Sequence, residues 1–128
     1  MAGDRDVPQL GAMHNWKRIR LELTRTADFP TGSVSRGYLL RLPLDDTDRI
    51  DSLAVADKPH LATVQRYWSN EPDEVGGLVH TEDGWALRCN GNPDRMLQVG
   101  NKPILLGQQL SVTDADGTTH PFTVASIR

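Results

Sequence analysis

The sequence has one cysteine, few aromatic residues and no long apolar run. The lone cysteine, Cys89, cannot form a disulfide within the chain. No stretch approaches the roughly 20 apolar residues that a membrane-spanning helix needs. The first residues also lack the charged and then apolar layout of a signal peptide. We therefore expect a soluble, cytoplasmic protein without a membrane partner.

An excess of positive charge is lacking as well. Fourteen lysines and arginines face 17 aspartates and glutamates, which gives a formal net charge of −3 and a pI near 5.7. This balance argues against a protein that binds nucleic acid or an anionic membrane through a broad basic face. A local basic patch is still compatible with it. The charge balance therefore disfavours nucleic acid as a partner of this protein.

The size and composition of the chain predict one β-rich domain. A chain of 128 residues is long enough for a single hydrophobic core and too short for two. The 11 glycines and 8 prolines indicate many turns rather than long helices. Residues 1–15 show no periodicity and predict a flexible N-terminal tail, so the domain is expected to span residues 16–128.

Alternating apolar residues predict the strands. In residues 17–24, Ile19, Leu21 and Leu23 share one face, which is the pattern of a half-buried strand. The runs GYLLRLPL, LATVQRYW, MLQVG, QLSVT and HPFTVASI predict further strands. The total is seven or eight short strands and one short helix. We predict a mainly β fold, a small antiparallel barrel or sandwich of about seven strands.

Turn and cap residues predict the connections between these strands. Asp51 is a helix N-cap candidate for a short helix that runs through Ala56. The run TEDG, Thr81–Gly84, predicts a hairpin whose glycine has a positive φ angle. The run SNEPDE predicts a loop, and residues 25–37 predict a longer one. Long ordered loops are often places where binding happens.

The run SVTDADGTTHPFTV resembles a calcium loop at first sight. With Gly117 at position 6 of an EF-hand loop, Val112 falls at position 1 and Thr123 at position 12, so two essential ligands are missing. The alternative is a hairpin turn in which Asp114 accepts backbone N–H groups and Gly117 has a positive φ angle. In that interpretation Asp114 and Asp116 can be replaced by asparagine with little loss.

No other motif predicts a metal, a cofactor or a catalytic residue. The residues that could bind zinc lie far apart in the sequence, and no pair has ligand spacing: His60, His80, Cys89 and His120. Cys89 shares a strand face with Trp85 and Leu87, which favours a buried, inert thiol. The G-x-S-x-G signature of a serine nucleophile is absent from the sequence.

Aromatic and basic residues supply the candidate binding residues, since tryptophan, tyrosine and arginine are enriched at binding hot spots. The competing interpretation places the tryptophans in the core and the arginines on a solvated face. The candidates are Arg36, Arg66, Trp68, Trp85 and Arg88.

Two runs carry a resemblance to known proteins. ELTRTADFPTGSVSRGYLLRLPLDDTDRID, residues 22–51, and GQQLSVTDADGTTHPFTVASI, residues 107–127, resemble a group of small bacterial proteins of uncharacterised function. The features that carry the resemblance are Phe29-Pro30, Gly37-Tyr38, Pro43-Leu44-Asp45 and Gly117. The resemblance implies a β-rich domain, and it supplies no activity and no catalytic residue.

Three functions remain as hypotheses. The first is a binding or protein-interaction module without catalytic activity, whose partner is an unknown protein or small molecule. The second is a small hydrolase-like or ligand-processing enzyme, which would gather His80 or His120 with a carboxylate in a pocket. The third is a single-stranded nucleic-acid binder, which the net charge disfavours.

Overall fold

The protein forms a closed antiparallel β-barrel of eight strands. The structure, a computed structural model, describes residues 15–91, 94–114 and 116–128. Each strand pairs with its neighbours in sequence, and the last strand pairs with the first. The strands are β1 Trp16–Leu23, β2 Ser33–Pro43, β3 Thr63–Trp68, β4 Glu71–Thr81, β5 Gly84–Cys89, β6 Met96–Gly100, β7 Gln109–Thr113 and β8 Thr119–Ile127.

The predicted mainly β fold with one short helix is therefore confirmed, with eight strands in a barrel rather than about seven. The helix, α1 Ser52–Asp57, lies between β2 and β3 and is followed by a 3-10 turn at Pro59–Leu61. In the described part of the chain, no helix is long and apolar enough to cross a membrane. The tail predicted over residues 1–15 lies outside the described residues except for Asn15.

The period-2 pattern decides which side chains fill the barrel. Ile19 and Leu21 on β1 are at most 1% exposed, as the alternation predicts. Arg20 between them and Arg18 before them face the outside. Successive side chains of a strand point to opposite faces of the sheet, so one alternating run supplies both the core and the outer wall.

Helix α1 begins where the sequence predicts. The Asp51 carboxylate accepts hydrogen bonds from the backbone N–H groups of Leu53 and Ala54, at 3.1 and 3.2 Å. These bonds satisfy two of the amide groups that have no partner within the first turn of a helix. The helix ends at Asp57, one residue beyond the predicted Ala56 and before Pro59.

The two hairpin glycines have the backbone conformation that the turns require. Gly84 has a φ of +106°, and Gly117 has a φ of +86°. A Cβ atom at Gly84 would lie 2.7 Å from the carbonyl carbon of Gly100, whereas a Cβ atom at Gly117 would meet nothing within 4 Å. Gly84 is therefore required for both its φ angle and the close approach of β6, and Gly117 for its φ angle alone.

Two predicted loops are shorter than the sequence suggests. The loop predicted over residues 25–37 ends where β2 begins, at Ser33, and the predicted loop SNEPDE contains the start of β4 at Glu71. A tight turn at Ser69 and Asn70, with a φ of +69° at Asn70, connects β3 to β4. Both strand ends lie at the barrel rim, where neither face is covered by apolar core, so they show no alternation of apolar and polar residues.

The interior of the barrel has an apolar half and a polar end. The apolar half lies toward α1 and the β6–β7 connection and is filled by aliphatic side chains such as Leu42 and Ile104, at most 1% exposed. The polar end, as we call it, lies toward the β1–β2 loop and the β3–β4 turn. Its residues are Arg36, Arg66, Trp68, Glu74, Arg95, Asp114 and His120.

Candidate functional site: an arginine and aromatic cluster in the barrel

The polar end begins where the inward row of β3 changes from aliphatic to charged. Val64, Arg66 and Trp68 alternate along the same face of this strand, and Arg66 lies directly opposite Glu74 of β4. Arg66 is 5% exposed and is the one charged residue in the described part of the chain that is fully buried. A buried charge is costly unless it is paired, so its surroundings must supply carboxylates.

Two glutamates of β4 supply them. Arg66 Nη1 lies 3.1 Å from Glu71 Oε1 and 3.5 Å from Glu74 Oε2. Glu74 Oε2 also lies 3.3 Å from Nη1 of Arg95, which precedes β6. Glu74, with 23% of its side chain exposed, therefore bridges two arginines from different sides of the barrel.

The ion-pair network continues to the β7–β8 turn. Arg95 Nε donates to Asp114 Oδ1 at 2.6 Å, and Asp114 Oδ2 lies 3.1 Å from His120 Nε2. The turn itself is held by other groups, because Gly117 N donates to the backbone carbonyl of Asp114, and Thr118 N donates to the Asp116 carboxylate. Asp114 therefore accepts a backbone N–H group of the turn, as predicted, but it does so through its carbonyl oxygen. Its carboxylate instead binds an arginine and a histidine inside the barrel.

Two of the arginines form cation–π contacts with aromatic rings. The Arg66 guanidinium lies 4.4 Å from the centre of the Trp68 ring. The Arg36 guanidinium lies 4.4 Å from the Phe29 ring of the β1–β2 loop and 5.7 Å from the Trp68 ring. Cation–π contacts of this kind stabilise a positive charge away from water. Trp68 is thus the shared aromatic wall of both arginines.

A small cavity of about 50 Å³ opens inside this cluster. The volume admits a few waters or one small polar group. Burial raises the pKa of Tyr38 in its wall to about 12, against the opposing effect of Arg66 and Arg95. The lining residues are Tyr38, Arg66, Trp68, Arg95, Val112, Asp114, His120 and Phe122.

Three buried polar atoms of the polar end have unused hydrogen-bonding capacity. Arg36 Nε, Arg66 Nε and Glu74 Oε1 make no hydrogen bond within the described residues. The two nitrogens carry N–H donors, and the oxygen is an acceptor. Buried polar atoms are nearly always hydrogen-bonded in folded proteins, so these three atoms need a partner, either a bound water or a polar group of a ligand.

The structure brings together three of the five predicted binding residues. Arg36, Arg66 and Trp68 meet at the polar end. Trp85 lies toward the opposite end of β5, where its ring contacts His80 edge to face at 4.6 Å. Arg88 is exposed on the outer face of β5. Trp85 and Arg88 therefore do not belong to the cluster.

Several cluster residues were not among the sequence candidates, although the strand pattern contains a signal for them. On β7 the inward row Leu110 and Val112 continues into Asp114. On β8 the inward row runs back from Phe122 to His120. An inward row that changes from apolar to charged residues on several strands predicts a shared polar end. The separate sequence runs do not show that these rows meet.

Of the metal and nucleophile candidates, only His120 lies in the polar end. Among the residues that the structure describes, no group of three or more histidine, cysteine, aspartate or glutamate side chains could hold a metal ion. Cys89 is 4% exposed, and burial, together with the nearby Glu74, raises the pKa of its thiol. A buried thiol with a raised pKa is a poor nucleophile, as the sequence pattern predicts.

Comparison with protein-family models, with curated proteins and with solved structures finds no match to this chain. The resemblance to small bacterial proteins stays a prediction for this reason. A fold alone does not determine a function. The function of this chain must therefore be inferred from the geometry of the polar end.

Proposed function

We propose that the protein is a small binding module that takes an acidic group of its ligand, a carboxylate, between the arginines and aromatic rings of the polar end. The observation that carries this proposal is the pair of buried Nε atoms on Arg36 and Arg66, which have no acceptor within the described residues. A guanidinium group matches the planar shape of a carboxylate and binds it through parallel hydrogen bonds.

The distribution of charge supports an anionic group beside Arg36. Arg66 and Arg95 each contact two carboxylates, whereas Arg36 forms no ion pair within the described residues. Its Nη1 donates to the hydroxyl of Ser33 at 3.1 Å. Among the described residues, the Arg36 guanidinium therefore contacts aromatic rings and a neutral hydroxyl but no negative charge, and a carboxylate would complete its environment.

The packing of aromatic rings around the cluster supports binding as well. Trp68 contacts Phe122 edge to face at 6.4 Å between ring centres, and Phe122 contacts Tyr38 in the same way at 5.1 Å. Side chains that are fixed before binding lose little conformational entropy when the ligand arrives. The cavity of about 50 Å³ is lined by Arg66 and Trp68 but not by Arg36, and it has room for the acidic group alone. The rest of the ligand would therefore lie outside the barrel.

The test is a titration with matched pairs of small molecules, acetate against acetamide and benzoate against benzamide. The NMR chemical shifts of the protein's backbone N–H groups report binding. We expect the carboxylates, and not the amides, to shift the resonances of Arg36, Arg66 and Trp68. Arg36→Gln should abolish these shifts, while Arg88→Gln on the outer wall should leave them unchanged. Equal shifts from the amides, or none from any probe at millimolar concentration, would contradict the proposal.

A second candidate is acid–base catalysis, which the pair of His120 and Asp114 favours. Their side chains lie 3.1 Å apart and line the same cavity, and a carboxylate that orients an imidazole is a common arrangement for proton transfer. Against it, Asp114 is also bound to Arg95 at 2.6 Å. The cavity wall has no serine, threonine or cysteine, and Tyr38 with a pKa of about 12 stays protonated at neutral pH.

A panel of chromogenic esters separates the two candidates. The binding module should release no chromophore above the buffer rate. Turnover that is lost in His120→Asn and retained in His60→Asn would favour the enzyme.

A further inference from the structure

A second surface of the barrel lies outside the polar end. It is a groove of about 500 Å³ on the outer wall, where β8, β1, β2 and β3 are neighbours. Arginines dominate it. Arg18 of β1 lies directly opposite Arg41 of β2, and Arg20 occupies the next outward position of β1.

The charges of this groove are poorly compensated. Like charges that face each other on paired strands repel and destabilise the sheet. Arg20 is paired with Glu22 at 3.0 Å. Arg18 and Arg41 form no ion pair within the described residues, although the Arg41 guanidinium lies 5.9 Å from the centre of the Trp16 ring. Among the described residues no acidic side chain lines the groove, and Arg128 adds a further arginine to it. A bound anion would relieve this repulsion.

The remaining groove residues indicate what the anion is attached to. Leu39 is 40% exposed between the arginines, and the hydroxyl groups of Thr63 and Ser126 lie at the groove wall. Hydroxyl groups are common partners of phosphate oxygens, and an exposed leucine offers an apolar surface to an organic group. The volume lies within the range of small-molecule sites, about 300–1,000 Å³.

Acidic residues limit the length of the groove. Glu22 follows Arg20 on the outer face of β1, and Asp73 binds the groove residue Gln65 through an Oδ2 to Nε2 contact of 2.8 Å. A nucleic-acid strand that continued past the arginines would meet these carboxylates. The basic patch is therefore suited to one compact anion rather than to an extended polyanion.

We infer that this groove binds the phosphate group of a small phosphorylated metabolite, with Arg18 and Arg41 as the principal phosphate ligands and Leu39 beneath the organic part. The site is separate from the polar end. Its arginines face outward from the wall, whereas Arg66 faces the interior.

Isothermal titration of the full chain with adenosine 5′-monophosphate, adenosine and inorganic phosphate tests the inference. We expect the monophosphate to bind, inorganic phosphate to bind more weakly because it lacks the organic part, and adenosine not to bind. Arg18→Gln and Arg41→Gln should each lower the affinity for the monophosphate by about tenfold, since one charge-assisted hydrogen bond is lost. Arg88→Gln and Arg36→Gln should leave the affinity unchanged, and the second of these separates this groove from the polar end.

The melting temperature without ligand shows whether each variant is folded. Arg41→Gln removes the like-charge pair with Arg18, so its melting temperature without phosphate should equal or exceed that of the wild type. Several outcomes would overturn the inference: no binding of the monophosphate at millimolar concentration, equal binding of adenosine, or unchanged affinity in both groove variants. Tighter binding of a single-stranded oligonucleotide than of the monophosphate would replace the metabolite with nucleic acid.

Discussion

The two halves of the barrel interior are built on the same strands, yet they are stabilised in different ways. In the apolar half, the buried side chains are aliphatic, such as Ile19 and Leu42, and need no hydrogen-bond or ion-pair partner. At the polar end the same inward rows continue into Arg66 and Asp114, which need partners from other strands. The stability of the apolar half depends on how well its side chains fill the space, and the stability of the polar end depends on a partner for every charged group.

This difference has a consequence for function. Hydrophobic burial is nondirectional, so the apolar half can be closed completely and offers nothing specific to a ligand. Charged groups require directed partners, and the buried Nε atoms of Arg36 and Arg66 have none within the described residues. In our proposal, stability is therefore concentrated in one half and ligand binding in the other.

The largest expected effect is in the apolar half. Leu42→Ala removes a side chain that is 0% exposed and leaves a cavity, so we expect a loss of about 3–5 kcal/mol of unfolding free energy. Chemical denaturation measures it. Leu53→Ala, at a position that is 84% exposed, should change the midpoint very little. A loss below 1 kcal/mol for Leu42→Ala would mean that the apolar half is not the main source of stability.

The next effect is at the centre of the polar end. Glu74→Gln removes the carboxylate that bridges Arg66 and Arg95, so two arginines lose a counter-charge. We expect a loss of about 2–3 kcal/mol, measured in the same denaturation experiment. Glu82→Gln, at an exposed turn position, is the matched control. If Glu74→Gln were neutral, the polar end would not depend on complete pairing.

A smaller effect separates two aspartates of one hairpin turn. Asp114→Asn weakens the contacts to Arg95 and His120 and should cost about 1–2 kcal/mol. Asp116→Asn should be nearly neutral, because an amide oxygen can still accept the hydrogen bond from Thr118 N. Equal melting temperatures for the two variants would restore the simple turn interpretation of Asp114.

The smallest effect appears only at alkaline pH. The pKa of Tyr38 is raised from 10.0 to about 12 by burial, so between these values the unfolded chain loses the phenol proton while the folded chain keeps it. Stability must therefore fall as pH rises through this window. Melting temperatures should fall more steeply with pH in the wild type than in Tyr38→Phe. Parallel curves would show that Tyr38 is not buried among the charges of the polar end.

Much of the fold could be predicted from local patterns. The alternation in residues 17–24 gives the inward face of β1, Asp51 gives the start of α1, and Gly84 gives the β4–β5 turn, because each depends on neighbours within a few residues. The start of β4 could not be predicted in this way. Glu71 and the residues after it have a strand conformation because they pair with β3, and their side chains show no period.

The candidate site was predictable only in part. Arg36, Arg66 and Trp68 are notable by residue type, and the structure brings them together. Trp85 and Arg88 have the same residue types but lie away from the cluster, because strand direction places Trp85 toward the other end and alternation turns Arg88 outward. Residue type alone does not show at which end of the barrel, or on which face of its strand, a residue lies.

The sequence by itself determined a single β-rich domain, the inward faces of its strands and the caps and turns between them, since these follow from periodicity and local backbone chemistry. Tertiary structure decided how the strands close and what the interior charges meet. Pairing of β1 with β8 joins residues about a hundred positions apart, such as Leu21 and Val124. The pairing of β6 with β7, in which Met96 lies opposite Thr113, places Arg95 beside Asp114. Only the closed barrel brings Arg95 to Glu74 of β4 as well, because a buried charge selects its partner by distance in space.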